Sequence, residues 1–167
     1  AGPPIERLGP QPPQQVRESW HSYFHQQSDL PERLVEGNVE AYLRHFYRDW
    51  SVNKYLFTDE EVAEYVQAYS QPGALRGGFS YYRAAAYEDP PHWQADADRQ
   101  LSTPLLYLWG SRRAHSTEVL GVDPLGSWKK IFPNGDGKNL GDYGHFLQTE
   151  APEEVNRELL AFLSGGS

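Results

Sequence analysis

Through most of its first hundred positions, this chain places its apolar residues at helical spacing. Val16, Trp20, Tyr23 and Phe24 share one helical face, and Val39, Tyr42, Leu43, Phe46 and Trp50 share another at offsets of 0, +3, +4, +7 and +11. Gly37-Asn38 separates these two helices and supplies a cap. Thr58 with Glu61 three positions on predicts a capping box, with Phe57 and Val62 as its hydrophobic staple. That helix is expected to bury Val62, Tyr65, Val66 and Tyr69. Leu75, Phe79, Tyr82 and Ala86 mark a further helix, and a short one opened by proline is expected at about 91–99. Ahead of them, residues 1–13 carry five prolines. Proline fixes φ and lacks a donor, so this stretch is expected to be an extended entry segment.

The period changes after Thr103. Leu105-Leu106-Tyr107-Leu108-Trp109 is a continuous apolar run between Pro104 and Gly110, which suits a strand buried on both faces. A weaker strand is expected at 129–132, followed by a loop, NGDGKNLGDYG. Pro152, Glu153 and Glu154 then open a last helix whose apolar stripe is Val155, Leu159, Leu160 and Leu163. The organisation is therefore an entry segment (1–13), a helical block (14–100) and a strand–helix–strand–helix segment (101–167) of α/β class. Two parallel strands do not make an independent sheet, so neighbouring strands are expected from outside the chain.

Charge and composition narrow the function. Fifteen basic against 23 acidic residues leave a net charge of −8, which argues against nucleic acid or an anionic membrane as the main partner. No window approaches the roughly 18 apolar residues of a membrane span, and the cytoplasm is the expected location. The absence of cysteine excludes a disulfide scaffold, a thiolate zinc site and a cysteine nucleophile.

Four segments could carry chemistry. Gly144-His145-Phe146 lies in a loop just before the last helix, where a histidine is held on a rigid junction and can act as a base near neutral pH. The bland alternative is a surface-loop histidine. In Tyr81-Tyr82-Arg83 a tyrosine hydroxyl facing a cavity could donate to a developing oxyanion, against the alternative of core packing. His21 and His25 form an H-x-x-x-H pair without the additional ligands that a metal needs, so they read as polar residues lining a cleft and no metal is assigned. The glycine spacing of 134–138 fits neither an EF-hand nor a P-loop, so that stretch reads as a turn. No G-x-S-x-G or G-x-D-x-G elbow occurs, and the spacing of GVDPLG is wrong for one.

In order, these pieces resemble the second half of an α/β-hydrolase, in the branch of epoxide hydrolases and haloacetate dehalogenases. ESWHSYFHQQSDLPE (18–32) resembles the first helix of that branch's cap, and LRGGFSYYRA (75–84) a later cap helix. Residues 104–110 are similar to the strand after the cap, and Gly144-His145-Phe146 followed by EAPEEV (150–155) to the catalytic histidine and last helix. The resemblance implies that 14–100 is the cap and 101–167 the C-terminal part of the core. It implies that His145 activates water against an ester on an aspartate nucleophile. Tyr82 and His21 would be the two cap donors to an epoxide oxygen, with Trp20, Phe24, Tyr81 and Phe146 lining the pocket. The implied substrate is a small apolar epoxide, with a halogenated compound as the alternative, and no cofactor is implied.

Two departures sharpen this expectation. Ser22 stands where fluoroacetate dehalogenases tend to have Trp, which weakens the haloacid reading. Gly110 is followed by Ser111, Arg112 and Arg113, where many epoxide hydrolases place the acid of the triad. The resemblance then implies an acid before the cap. That acid, the nucleophile and the N-terminal half of the fold would come from a separate polypeptide or a segment outside this sequence; Glu118 and Asp123 are weak substitutes. A non-catalytic or incomplete fragment is the remaining alternative.

Overall fold

The structure, a computed structural model, describes residues 19–112 and 124–165 together with Pro13 and Val16. Apart from Pro13, the expected entry segment lies outside the described residues, as do Glu118 and Asp123. From Ser19 on, the described residues begin with six helices: α1 (Trp20–His25), α2 (Leu30–Val35), α3 (Val39–Asp49), α4 (Asp59–Tyr69), α5 (Ala74–Tyr87) and α6 (Pro90–Ala95). Then follow β1 (Leu106–Trp109), α7 (Pro124–Lys129), β2 (Asp136–Asn139), α8 (Leu147–Glu150) and α9 (Pro152–Leu163).

The helical period that defined α3 and α5 also defines the core. Val35, Val39, Leu43 and Phe79 form a buried cluster, with Phe24, Tyr42, Tyr47, Val66 and Leu75 packed against it. The capping box of α4 is fully made: the Thr58 hydroxyl accepts from the Glu61 N–H, and the Glu61 carboxylate accepts from the Thr58 N–H at 2.8 Å. Of the apolar residues expected beneath α4, Val62 is buried, whereas Tyr65 and Tyr69 lie exposed. Helix α6 starts one residue earlier than expected and stops at Ala95, after which turns closed by Ala97 and Arg99 N–H groups replace helix.

An ion-pair clamp fixes α5 on the preceding helices. The Arg83 guanidinium meets the Glu32 carboxylate through both oxygens, at 2.9 and 3.0 Å, and donates to the Gln27 carbonyl at 2.7 Å. Beside it, Asp29 opens α2 with φ at 60° and pairs with Arg76. The Arg83 guanidinium holds the Glu32 carboxyl below its usual range.

The strand expectations are corrected in two respects. β2 is not at 129–132 but at Asp136–Asn139, inside the segment read as a loop and turn, and it pairs in parallel with β1 from Leu106↔Asp136 to Trp109↔Asn139. Residues 129–132 instead close the C-terminal end of α7, where the Ile131 and Phe132 N–H groups donate to the Trp128 carbonyl. The polar composition of β2 hid it: three of its four residues are exposed, as on an edge strand. β1, expected to be buried on both faces, is half-buried throughout. The stripe of α9 lies where expected, but only Val155 of it is buried; Leu160 and Leu163 are 65% and 77% exposed.

Candidate active site

Helix α1 presents His21 and His25 one turn apart on its inner face, at 8% and 5% exposure. Their rings meet edge to face at 5.9 Å, and Tyr82 of α5 closes the group, 6.0 Å from His21 and 4.4 Å from His25. Thus the two expected donors, from segments some sixty residues apart in sequence, lie side by side. The hydroxyl of Ser22 lies 3.3 Å from Nε2 of His21.

His145 joins this group through a residue that the helical spacing places on the apolar face of α3. Trp50, at the end of α3, sits 4.9 Å from the His21 ring and 4.6 Å from the His145 ring. The His145 N–H donates to the Trp50 carbonyl at 2.8 Å. Gly144 makes this approach feasible: a Cβ there would fall well inside 3.0 Å of the Trp50 carbonyl oxygen and 2.7 Å from Oε1 of Glu150. Trp50 spans the space between His21 and His145.

The pocket candidates divide. Trp20 stacks on Phe46 at 5.9 Å and contacts His21, while remaining partly open. Phe24 packs on the apolar core cluster. Phe146 turns toward the α3–α4 junction, 5.5 Å from Tyr47 and 5.1 Å from Phe57. Tyr81 is 68% exposed and meets the edge of Tyr82 at 5.5 Å, pointing away from the ring group.

His25 was not singled out for a separate role, yet its imidazole is strongly perturbed. It stacks on Phe79 at 4.5 Å, and its Nε2 is hydrogen-bonded to the Tyr42 hydroxyl. Burial, reinforced by His21 and Arg83, pushes it down to about 4, so the ring is neutral at pH 7. Burial likewise raises the Tyr42 phenol above its usual value. Among the described residues, no group of three or more His, Asp or Glu could hold a metal ion. No helix among them is long and apolar enough to cross a membrane.

No family model matches the chain. A soluble epoxide hydrolase of Corynebacterium sp. (strain C12) is 31% identical over 147 residues, covering 86% of this chain and 49% of the relative. The AB hydrolase superfamily protein YfhM of Bacillus subtilis (strain 168) is 28% identical over 155 residues, covering 91% of this chain and 50% of that protein. The solved structure of the epoxide hydrolase CorEH superposes with a TM-score of 0.84 at 26% identity, covering 95% of this chain and 54% of that one. With the parallel β1–β2 pair and the helical block before it, these matches define the class of the protein as an α/β-hydrolase. The chain belongs to that superfamily, and its relatives in Corynebacterium and Caenorhabditis elegans carry the name epoxide hydrolase. It spans about half the length of the curated relatives it matches.

Proposed function

We propose that these residues form the cap (14–100) and C-terminal part of the core (101–167) of an epoxide hydrolase. The observation that carries this is the line Tyr82–His21–Trp50–His145, which sets two hydrogen-bond donors on one side and a loop histidine on the other. Opening an epoxide develops an alkoxide, and two donors held in place stabilise it without reorganising. An aspartate outside these residues attacks the epoxide carbon, the carbon–oxygen bond breaks, and Tyr82 and His21 donate to the freed oxygen. His145 then takes a proton from water as that water attacks the ester carbonyl, releasing the diol.

The exposed leucines of α9 and the single strand pair among the described residues support a remaining core outside these residues that covers them. The chemistry also supports a small, largely apolar substrate, since the walls around the donors are aromatic. The test uses the full-length protein against a panel of styrene-oxide-type epoxides and haloacetates. Diol formation is expected, with a covalent ester accumulating in His145→Gln and slowed ring opening in Tyr82→Phe. Halide release without diol formation replaces this reading with a dehalogenase, and no turnover of either panel replaces it with a non-catalytic role.

A further inference from the structure

Glu150 ties the histidine loop to Val52, a residue 98 positions before it in sequence. Its Oε2 accepts the Val52 N–H at 2.8 Å, just beyond the end of α3, and its Oε1 accepts the Gly144 N–H at 3.0 Å, just before His145. The next N–H along, that of His145, donates to the Trp50 carbonyl at 2.8 Å. The histidine loop is therefore tied to the end of the cap helix by consecutive backbone donors, one to a carboxylate and one to a carbonyl. Nζ of Lys54 steadies the cap side, donating to the Arg48 and Ser51 carbonyls at 2.8 Å each. The Phe146 ring, packed against Tyr47 and Phe57, prevents the loop from rotating about these bonds.

Few side chains can do this. The junction needs two acceptors on one planar group, because both partners are N–H donors. A carboxylate offers two such oxygens; an amide offers one, and its NH2 would face the other donor. Hydrogen bonds to a charged acceptor are also the stronger kind. Both carboxylate oxygens accept from backbone N–H groups, so the carboxylate acts on the backbone that carries the His145 ring.

We propose that Glu150 is a positioning residue: it locks His145 against Trp50, so that ester cleavage depends on it while ring opening does not. This rests on the epoxide hydrolase reading above, because the two steps exist only in that mechanism. Ring opening is assisted from α1 and α5, neither of which Glu150 touches. Ester cleavage needs a water held between the imidazole and the ester carbonyl, and small displacements of a base are costly there.

The experiment is Glu150→Gln in the full-length enzyme. With ester cleavage slowed, kcat is expected to fall about 10- to 100-fold. KM should fall with it, kcat/KM should stay within about twofold because it reports ring opening, and the ester adduct should accumulate in the intact mass. Amide exchange at Gly144 and Val52 should quicken in the same variant. A role confined to stability would lower kcat/KM with kcat, and that result, or unchanged kcat, overturns the proposal. If Glu150→Gln does not fold, Glu150→Asp, which keeps the charge, is read for the same split between kcat and kcat/KM. His145→Gln run in parallel separates the two ideas. No adduct in His145→Gln overturns the epoxide hydrolase reading and this proposal with it. An adduct there, with wild-type turnover in Glu150→Gln, overturns this proposal alone.

Discussion

Acidifying the protein from pH 7 to pH 4 is expected to cost stability through one buried ring, His25. In the folded chain it sits at 5% exposure, stacked on Phe79 and hydrogen-bonded to Tyr42, and its pKa is pushed down from 6.5 to about 4. Its surroundings penalise the proton: burial first, then electrostatic repulsion from His21 and Arg83. In the unfolded chain the ring takes its proton near pH 6.5. Between pH 6.5 and about 4 the unfolded state therefore binds more protons, and stability falls as pH falls. Above 6.5 both states are neutral, and below about 4 both are charged, so this contribution is flat outside that window. The full difference corresponds to about 3 kcal/mol as an upper limit, reduced wherever water reaches the ring. Glu32, held below its usual range by Arg83, loses its contribution further into the acid, as pH falls through its folded value. The assay is urea denaturation across pH 7 to 4, comparing the chain with His25→Phe. That variant forfeits the Tyr42 hydrogen bond at every pH, so the informative quantity is how the difference changes. The wild-type chain should lose stability relative to the variant over the window, by at most about 3 kcal/mol. A difference that does not change with pH, or an imidazole titration near 6.5 by NMR, refutes the reasoning.

Three further perturbations test the packing that holds the candidate site. Gly144→Ala forces a methyl group against the Trp50 carbonyl and the Glu150 carboxylate. It should cost about 2 kcal/mol and alter the Trp50 emission, and unchanged fluorescence would show that the loop is not seated there. Arg83→Ala leaves the half-buried Glu32 carboxylate without its partner and releases α5 from the Gln27 carbonyl. A loss of about 2 kcal/mol is expected in denaturation, with the Glu32 titration by NMR rising toward its ordinary value; no movement of that titration would contradict the clamp. Thr58→Ala removes half of the α4 capping box and should cost about 1 kcal/mol, with faster amide exchange at Glu61 as the local readout.

What was legible in the sequence follows from what each element depends on. α3, α4, α5 and α9 were readable because a period of 3.6 and a cap are local properties, and the Thr58–Glu61 box appears as the spacing requires. β2 was not readable. Its four residues, Asp136-Gly137-Lys138-Asn139, carry no alternation and little β-propensity, and they become a strand because β1 lies alongside. The more apolar 129–132 segment attracted the strand assignment, yet it follows directly on α7 and ends that helix. Burial was the least legible quantity. Leu159, Leu160 and Leu163 have the right period, but a stripe states only that a helix has an apolar side, not what covers that side.

The candidate site shows the same division at finer grain. His21, Tyr82 and His145 could be found because motifs carry them, and the fold brings the first two within ring contact. The way His145 reaches them could not be found, because the joint is built from backbone: the His145 N–H on the Trp50 carbonyl, and the Gly144 and Val52 N–H groups on one carboxylate. Backbone groups are the same at every position, so such a joint marks the sequence only where it forbids a Cβ or needs two acceptors. Those two positions are Gly144 and Glu150. Read alone, the first is an ordinary loop glycine and the second an acidic residue near a helix start. Trp50 falls between the two kinds of signal. Its helical phase with Phe46 made it a core residue by pattern, and its place at the last turn of α3 lets its carbonyl, which has no following turn to accept from, bond the loop instead. A helix end is where a side chain can keep the core's periodicity while its backbone serves something outside the helix, which is why the junction between α3 and the histidine loop forms there.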